Sequence, residues 1–385
     1  MNLTDLCEVF TDGDWIESKD QSKDGIRLIQ TGNIGIGQFI EKDDKAKYIS
    51  IETFERLKCT EVFEGDILVS RLPDPIGRAC IVPNKTERMI TAVDCTICRP
   101  KADIIDREYL CYFMQSKTYY ERLFNNVTGT TRKRISRKNL GNVEIYVPSK
   151  EEQKIIVKKL NLLTKIISNR TKELSYLDNL IKARFVELFG DPRSNPYGFG
   201  KKMLKDTCKV VTGNTPSRGV EDYYGDYVEW IKTDNIVSGL LNPTMAAECL
   251  SEEGMKVGRI VEKDSILMAC IAGSIASIGR VCVTDRTVAF NQQINAVVPE
   301  EYNILFLYVM LQLSKEYLVE EINMALKGIL SKSKLEEKEF IVPPMELQEQ
   351  FADFVKQVDK SKVVVQKSLA ETQLLFDKLM QDYFG

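Results

Sequence analysis

The chain states its plan twice, the second copy starting 195 to 202 residues after the first. IRLIQTGNI (Ile26 to Ile34) is answered by VEWIKTDNI (Val228 to Ile236), and Ile76-Gly77-Arg78 by Ile278-Gly279-Arg280. VPSKEEQ (Val147 to Gln153) returns as VPPMELQ (Val342 to Gln348), and the copies close on Phe189-Gly190 and Phe384-Gly385. A period this long is a domain plus its following helix, not a solenoid unit of about 20 to 50 residues. Two similar modules on one chain imply two similar targets, or one target with approximate two-fold symmetry.

Each copy opens with short β-rich runs punctuated by Gly and Pro, such as GDILVS (Gly65 to Ser70), GRACIVP (Gly77 to Pro83) and DSILMACIAG (Asp264 to Gly273). Helical spacing of apolar residues follows, over Arg107 to Phe124 and around Leu305 to Ile322. This predicts α+β domains over 1–148 and 201–343. After each comes a long helix, 149–190 and 344–385, with a Pro- and Gly-containing linker at 191–200 between the copies. The first helix carries Ile156, Leu160, Leu163, Ile167, Arg170, Leu174, Leu177, Ile181, Arg184 and Leu188 in alternating steps of four and three. The second repeats them 195 residues on, as Phe351, Val355, Val358, Lys362, Val365, Leu369, Thr372, Phe376, Leu379 and Tyr383. Such spacing is a coiled-coil seam. The helix charges, nine basic against five acidic residues and five against seven, are complementary. A two-fold relation between the copies would make the helices antiparallel, with one domain at each end of a rod.

Histidine is absent, which removes the commonest general base and every imidazole metal site. There is no phosphate-binding GxxxxGK[ST]; GNIGIGQF (Gly32 to Phe39) reads as a tight turn rather than a dinucleotide loop. Cys95 and Cys98 form a lone CxxC that reads as buried thiols. Ten cysteines without a secretory leader pattern, and no membrane-length apolar run, predict a cytoplasmic protein with reduced thiols. A net charge of −3 confines any nucleic-acid contact to local patches. One such patch is TGTTRKRISRK (Thr128 to Lys138), where Arg132, Lys133, Arg134, Arg137 and Lys138 stand without an acid. Cations neutralise phosphates and small hydroxyl residues let backbone amides approach them. A thinner version, KGILSKSK (Lys327 to Lys334), recurs in the second copy.

The chain resembles the DNA-specificity subunits of type I restriction–modification systems over its whole length. The resemblance rests on the order of parts, duplicated: a variable domain, Gly129-Thr130-Thr131 leading through basic residues to Ile135, and a strand ending in Pro148. An acidic-Gln element, Glu151-Glu152-Gln153, then opens the long helix. The second copy departs at Gly328-Ile329-Leu330 and Glu346-Leu347-Gln348. The resemblance implies two target-recognition domains, each reading half of an interrupted duplex DNA sequence, and an antiparallel helix pair that docks two methyltransferase subunits. S-adenosylmethionine would then sit on the methyltransferase, and ATP with Mg on a restriction/translocase subunit; this chain would hold no cofactor, metal or catalytic residue. Candidate DNA contacts are Thr31, Asn33, Arg71, Thr130, Thr131, Arg132, Lys133 and Arg134 in the first copy. In the second they are Lys232, Asn235, Gln292, Gln293, Lys327, Lys332 and Lys334. The alternative is a coiled-coil scaffold with two protein- or peptide-binding heads and no DNA role.

Overall fold

The structure, a computed structural model, describes residues 1–73, 75–125, 133–272, 277–320, 322 and 328–385. It divides into two compact units, Met1–Asn169 with Leu369–Gly385, and Arg170–Ser368.

In the first unit the chain runs β1 (Cys7–Asp12), β2 (Ile26–Ile29), β3 (Tyr48–Ile49), α1 (Ile51–Leu57), β4 (Glu61–Val62), β5 (Ile67–Ser70), β6 (Ala79–Ile81), β7 (Met89–Thr91) and β8 (Cys95–Pro100). Helices α2 (Arg107–Phe113), α3 (Lys117–Phe124) and α4 (Arg137–Gly141) follow, then the long α5 (Lys150–Phe189). One sheet has the order β1-β8-β5-β6 and the other β3-β2-β7-β4. β5 shows why the layers stack as they do. All four of its residues are buried, and they divide by the strand's period of two. Ile67 and Val69 join the core formed with α2, α3 and the long helices, while Leu68 joins the core between the two sheets. A continuous apolar run is what a strand covered on both faces requires. The apolar spacing over 107–124 is realised as two helices rather than one. The first ends at Phe113 with Met114 as its C-cap, and Ser116 caps the second, its hydroxyl accepting Tyr119 N–H at 3.2 Å.

The second unit repeats this order. After β9 (Lys201–Met203) come β10 (Cys208–Thr212), β11 (Tyr224–Gly225), β12 (Val228–Ile231), β13 (Cys249–Leu250), α6 (Glu252–Val257), β14 (Ile260–Val261) and β15 (Ile266–Ala269). Then follow β16 (Ile271–Ala272), β17 (Val281–Val283), β18 (Val288–Phe290), β19 (Ile294–Pro299), α7 (Ile304–Leu313), α8 (Lys315–Val319), β20 (Gly328–Ile329), α9 (Lys332–Glu336), β21 (Glu339–Ile341) and the long α10 (Met345–Phe384). Its sheets, β10-β19-β15-β17 and β11-β13-β12-β18-β14, match those of the first unit strand for strand, with β11 added at one edge. β15 splits as β5 does: Ile266 and Met268 face the helices, Leu267 and Ala269 the second sheet.

The long helices bear out the antiparallel pairing within each unit. In the first, Val157 and Leu160 share a core with Met380 and Phe384, and the Lys159 ammonium lies 3.1 Å from the Tyr383 hydroxyl. In the second, Lys362 pairs with Asp178 at 2.7 Å, and Phe185 and Phe189 pack on Phe351 at 5.4 and 5.6 Å. Rising numbers on α5 meet falling numbers on α10. Every predicted seam position is buried or half-buried. Phe306 joins the phenylalanine cluster 4.8 Å from Phe189, so α7 of the domain and both helices share one core. Each aromatic pair of this kind adds about 0.5–1.5 kcal/mol to the burial itself.

Candidate nucleic-acid interface

In the first unit, β1 ends at Asp12 opposite Thr96, and β5 ends at Ser70 opposite Cys95. β2 and β7 run parallel, Ile29 beside Thr91. The turns after these four strands therefore gather at one end of the two sheets. Gly13 seals the junction: its N–H donates to Cys95 O at 2.8 Å, and a methyl there would collide with the Thr91 carbonyl. Gly213 does the same in the second unit, against Asn291, with its N–H on Ile294 O at 3.0 Å. No other residue permits that approach.

The repeated Thr-x-Asn triplet forms the turn after β2 and its counterpart after β12. Asn33 accepts Gln30 N–H at 3.0 Å and donates to Ile40 O at 3.0 Å. Asn235 accepts Lys232 N–H at 3.0 Å and donates to Met245 O at 2.9 Å. Both amides are thus engaged inside the turn. The repeated arginine of Ile-Gly-Arg supports the same turn from outside. Arg78 donates to Thr31 O at 2.9 Å and Ile34 O at 2.6 Å, and Arg280 to Thr233 O at 3.2 Å. Thr31 itself stays partly exposed on the turn.

Arg71 departs from expectation. Its side chain is 4% exposed, lies 3.3 Å from the Asp12 carboxylate, and donates to Val93 O at 2.6 Å and Ile135 O at 3.5 Å. Burial holds its pKa below the usual arginine value, against the pull of Asp12. Arg71 therefore ties the basic segment to the strand ends instead of facing solvent. Of that segment, Lys133 is exposed, Arg134 pairs with Asp94 at 3.3 Å, and Arg137 donates to Thr11 Oγ1 at 3.3 Å. Thr130, Thr131, Arg132 and Lys327 lie outside the described residues.

The second unit gathers the matching turns. Leu330 N–H bonds Cys270 O at 2.9 Å, which brings the start of α9, with exposed Lys332 and Lys334, to the end of β15. Lys332 pairs with Glu336 at 3.5 Å. Gln292 is exposed and accepts the Thr215 hydroxyl; the Gln293 amide oxygen accepts Asn291 Nδ2 at 3.2 Å. Lys232 and Arg218 share Glu248, at 2.9 and 2.7 Å, and both stand over the Trp230 ring, at 5.0 and 5.1 Å. Lys232 first, then Arg218, holds the Glu248 carboxyl below its ordinary range. Arg218 was not legible in the sequence, because the matching loop of the first copy, residues 13–25, holds no arginine. Arg78 and Arg280 were visible as a repeated triplet, and the repetition was their signal.

A family model described as the type I restriction modification DNA specificity domain matches residues 1–176 and 196–371. The chain belongs to this family. The two matches start 195 residues apart, one for each copy of the loop cluster. Among similar proteins, the type I restriction enzyme HindI specificity subunit of Haemophilus influenzae is 23% identical, over 65% of this chain and 70% of that one. The MjaIX specificity subunit of Methanocaldococcus jannaschii is 25% identical, over 73% and 68%. The fold matches the S subunit of a type I restriction–modification system from M. genitalium, with a TM-score of 0.61 at 16% identity, across 100% of this chain and 95% of that one.

The CxxC cysteines serve packing. Cys95 and Cys98 are buried, and burial pushes Cys95 up to about 12 and Cys98 well above its ordinary value. No cluster of metal-ligating side chains occurs among the described residues, and no helix there is long and apolar enough to cross a membrane.

Proposed function

We propose that this chain is the specificity subunit of a type I restriction–modification assembly, each unit reading one half of an interrupted duplex target through its loop cluster. The observation that carries the reading is the double construction of that cluster. The same strand ends, the same sealing glycine and the same Asn-locked turn occur in both units, and a basic stretch, thinner in the second copy, follows at the same place in the sequence.

Lys133, Arg134, Lys332 and Lys334 would contact phosphates; Thr130, Thr131, Arg132 and Lys327, expected to do the same, lie outside the described residues. Such contacts fix register without reading sequence. Thr31, Lys232, Gln292 and Gln293, joined by Thr215 and Arg218, offer the donor and acceptor patterns that groove edges distinguish. Exposed apolar side chains on the long helices would supply a docking face in each unit for a methyltransferase subunit, Leu162, Leu374 and Leu375 in the first and Tyr176, Leu180 and Val364 in the second. Those subunits would carry S-adenosylmethionine and the chemistry; restriction/translocase subunits, where the system cuts, would carry ATP and Mg.

Exchanging residues 201–343 for those of a relative with another target tests this. Methylation mapping should show one half of the motif replaced and the other kept. Changes in both halves would overturn the reading, and no salt-dependent duplex binding in the presence of the methyltransferase would favour a scaffold.

A further inference from the structure

The backbone of the loop cluster repeats, but one group of side chains carried on it does not. Leu28 N–H donates to Lys47 O at 2.8 Å in the first unit, and Trp230 N–H to Glu248 O at 3.0 Å in the second. The strand registers agree, with Ile26 opposite Ile49 and Val228 opposite Leu250. On this shared backbone Leu28, Gln30 and Lys47 of the first unit stand where the second has Trp230, Lys232 and Glu248. Arg218 joins those three from the loop after β10.

The result is a guanidinium fixed in place before any ligand arrives. Trp230 Nε1–H donates to Asn214 O at 3.3 Å and the Tyr224 hydroxyl to Pro216 O at 2.7 Å, so both rings are tied to the loop that carries Arg218. The guanidinium lies over both, 4.4 Å from the Tyr224 ring centre and 5.1 Å from that of Trp230. Glu248 accepts its Nη2 at 2.7 Å and holds Lys232 at 2.9 Å with the other oxygen. The rings set the plane and the carboxylate sets the rotation, yet the side chain remains 56% exposed. Among the described residues its Nε and Nη1 make no hydrogen bond. A side chain ordered in advance loses less freedom on binding, and a planar fork of N–H donors suits a flat partner with two acceptors.

We propose that Arg218 reads a guanine in the half of the target taken by the second unit, its remaining N–H edge set against O6 and N7 in the major groove, with Glu248 as its positioning residue. Guanine alone presents two acceptors side by side on that edge; adenine and cytosine each present an amino donor, which a guanidinium rejects. Place in the fold supports the assignment. Lys232, on the same carboxylate, opens the Asn-locked turn, and Thr215, three residues before Arg218, donates its hydroxyl to Gln292 between β18 and β19. The contrast between the units supports it as well. The sealing glycine, the locking asparagine and the Arg78 and Arg280 braces occur in both and serve the fold. Side chains that differ on an identical backbone are what two unlike half-sites require.

The assignment rests on the half-site reading proposed above, and the test keeps the two apart. The full chain and its Arg218→Ala variant are each assembled with the methyltransferase subunit, and methylated adenines are mapped. In the variant one G·C pair of the second unit's half-site should become degenerate, its discrimination falling by about 5- to 150-fold, while every other position is kept. The wild-type assembly should bind less tightly a duplex with 7-deazaguanine at that pair, which lacks the N7 acceptor, and the Arg218→Ala assembly should not distinguish the two duplexes. Glu248→Ala should relax the same pair and no other; full discrimination in that variant would overturn its positioning role. An equal loss of affinity on all sequences in Arg218→Ala would make Arg218 a phosphate contact, and an unchanged motif and affinity would make it a brace of its own loop. Either result overturns the assignment and leaves half-site reading standing. A wild-type assembly indifferent to 7-deazaguanine at every guanine of that half would overturn it without any variant. A half-motif that fails to follow residues 201–343 on exchange would instead overturn the half-site reading itself.

Discussion

The side-chain oxygen of Gln153 accepts the backbone N–H of Asp106 at 2.6 Å, fastening the first turn of α5 to the residue that caps α2. The same amide donates to Ile104 O at 3.1 Å and Pro148 O at 2.9 Å. Gln348 repeats the device, accepting Asn303 N–H at 2.9 Å and donating to Pro343 O at 2.8 Å. Both glutamines are almost wholly buried. Within each unit the orientation of the domain on its long helix is therefore set by one primary amide, which both donates and accepts.

That makes the glutamines specific requirements rather than acidic-element decoration. Gln153→Leu strands a buried N–H and two carbonyls and should cost about 1–3 kcal/mol. Gln153→Glu should be worse, because it keeps the acceptor, loses both donors and buries a charge. Urea unfolding would rank the variants, and hydrogen exchange at Asp106 N–H should accelerate in Gln153→Leu, which removes its acceptor. A Glu variant as stable as the parent would contradict this account.

Arg71 gives a second test. If it positions the basic segment, Arg71→Ala should weaken binding to matched and mismatched duplexes by the same factor, and exchange should rise at Ile135, whose N–H lies 3.4 Å from Arg71 O. Arg71→Lys should recover little, since an ammonium cannot span Val93 O and Ile135 O together. A loss confined to one base position would mean that Arg71 reads sequence after all.

Lys133 and Arg134 test the phosphate grip. Alanine at both should flatten the plot of log K against log salt by about 0.9 for each phosphate no longer neutralised, on any sequence. An unchanged slope would remove the segment from the DNA.

The plan of the fold was legible in the sequence because repetition and periodicity are properties of the chain itself. The 195-residue spacing matched the two helices position for position, and buried strands such as β5 announced themselves as apolar runs. The loop cluster was legible as a set of positions but not as a set of roles. Asn33, Asn235 and Arg71 looked like readers, and only the fold shows each facing backbone carbonyls. A polar side chain beside a turn has the same sequence signature whether it serves the turn or a ligand. The break between α2 and α3 was hidden because Ser116 interrupts the helix without disturbing the apolar spacing.

Thiol chemistry should isolate Cys249. It is only partly buried, whereas the other nine cysteines are buried, with Cys80, Cys111, Cys208, Cys270 and Cys282 pushed up to about 12 by desolvation. A colourimetric disulfide reagent should modify one thiol quickly in the native chain and the rest on unfolding. Burial also raises the Cys249 pKa, so the fast rate should still be climbing above pH 9. The fast phase should vanish in Cys249→Ser.

The last test concerns the polar interruption of the seam. Lys362 occupies the position held by Ile167 in the first copy, and Asp178 that of Gln373. The Lys362 ammonium bonds Gly239 O at 3.2 Å as well as pairing with Asp178. Asp359 stands nearby with its pKa raised, chiefly by burial and further by Asp178, against the opposing pull of Lys362. A carboxyl whose folded pKa exceeds its unfolded value binds its proton more tightly when folded. Its ionisation therefore lowers stability as pH climbs from about 3.8 through the folded pKa, and the full cost persists above that. Asp359→Asn should stabilise the second unit at neutral pH, and the advantage should shrink to nothing below pH 3.8. Lys362→Ile alone should destabilise on the order of 2 kcal/mol, by leaving two carboxylates facing each other in a half-buried seam. Adding Asp178→Gln recreates the first copy's pair and should return most of that loss. The cycle of single and double variants, followed by urea unfolding, measures the coupling directly. If the two losses simply add, Lys362 and Asp178 act independently, and the ion pair does not hold the seam.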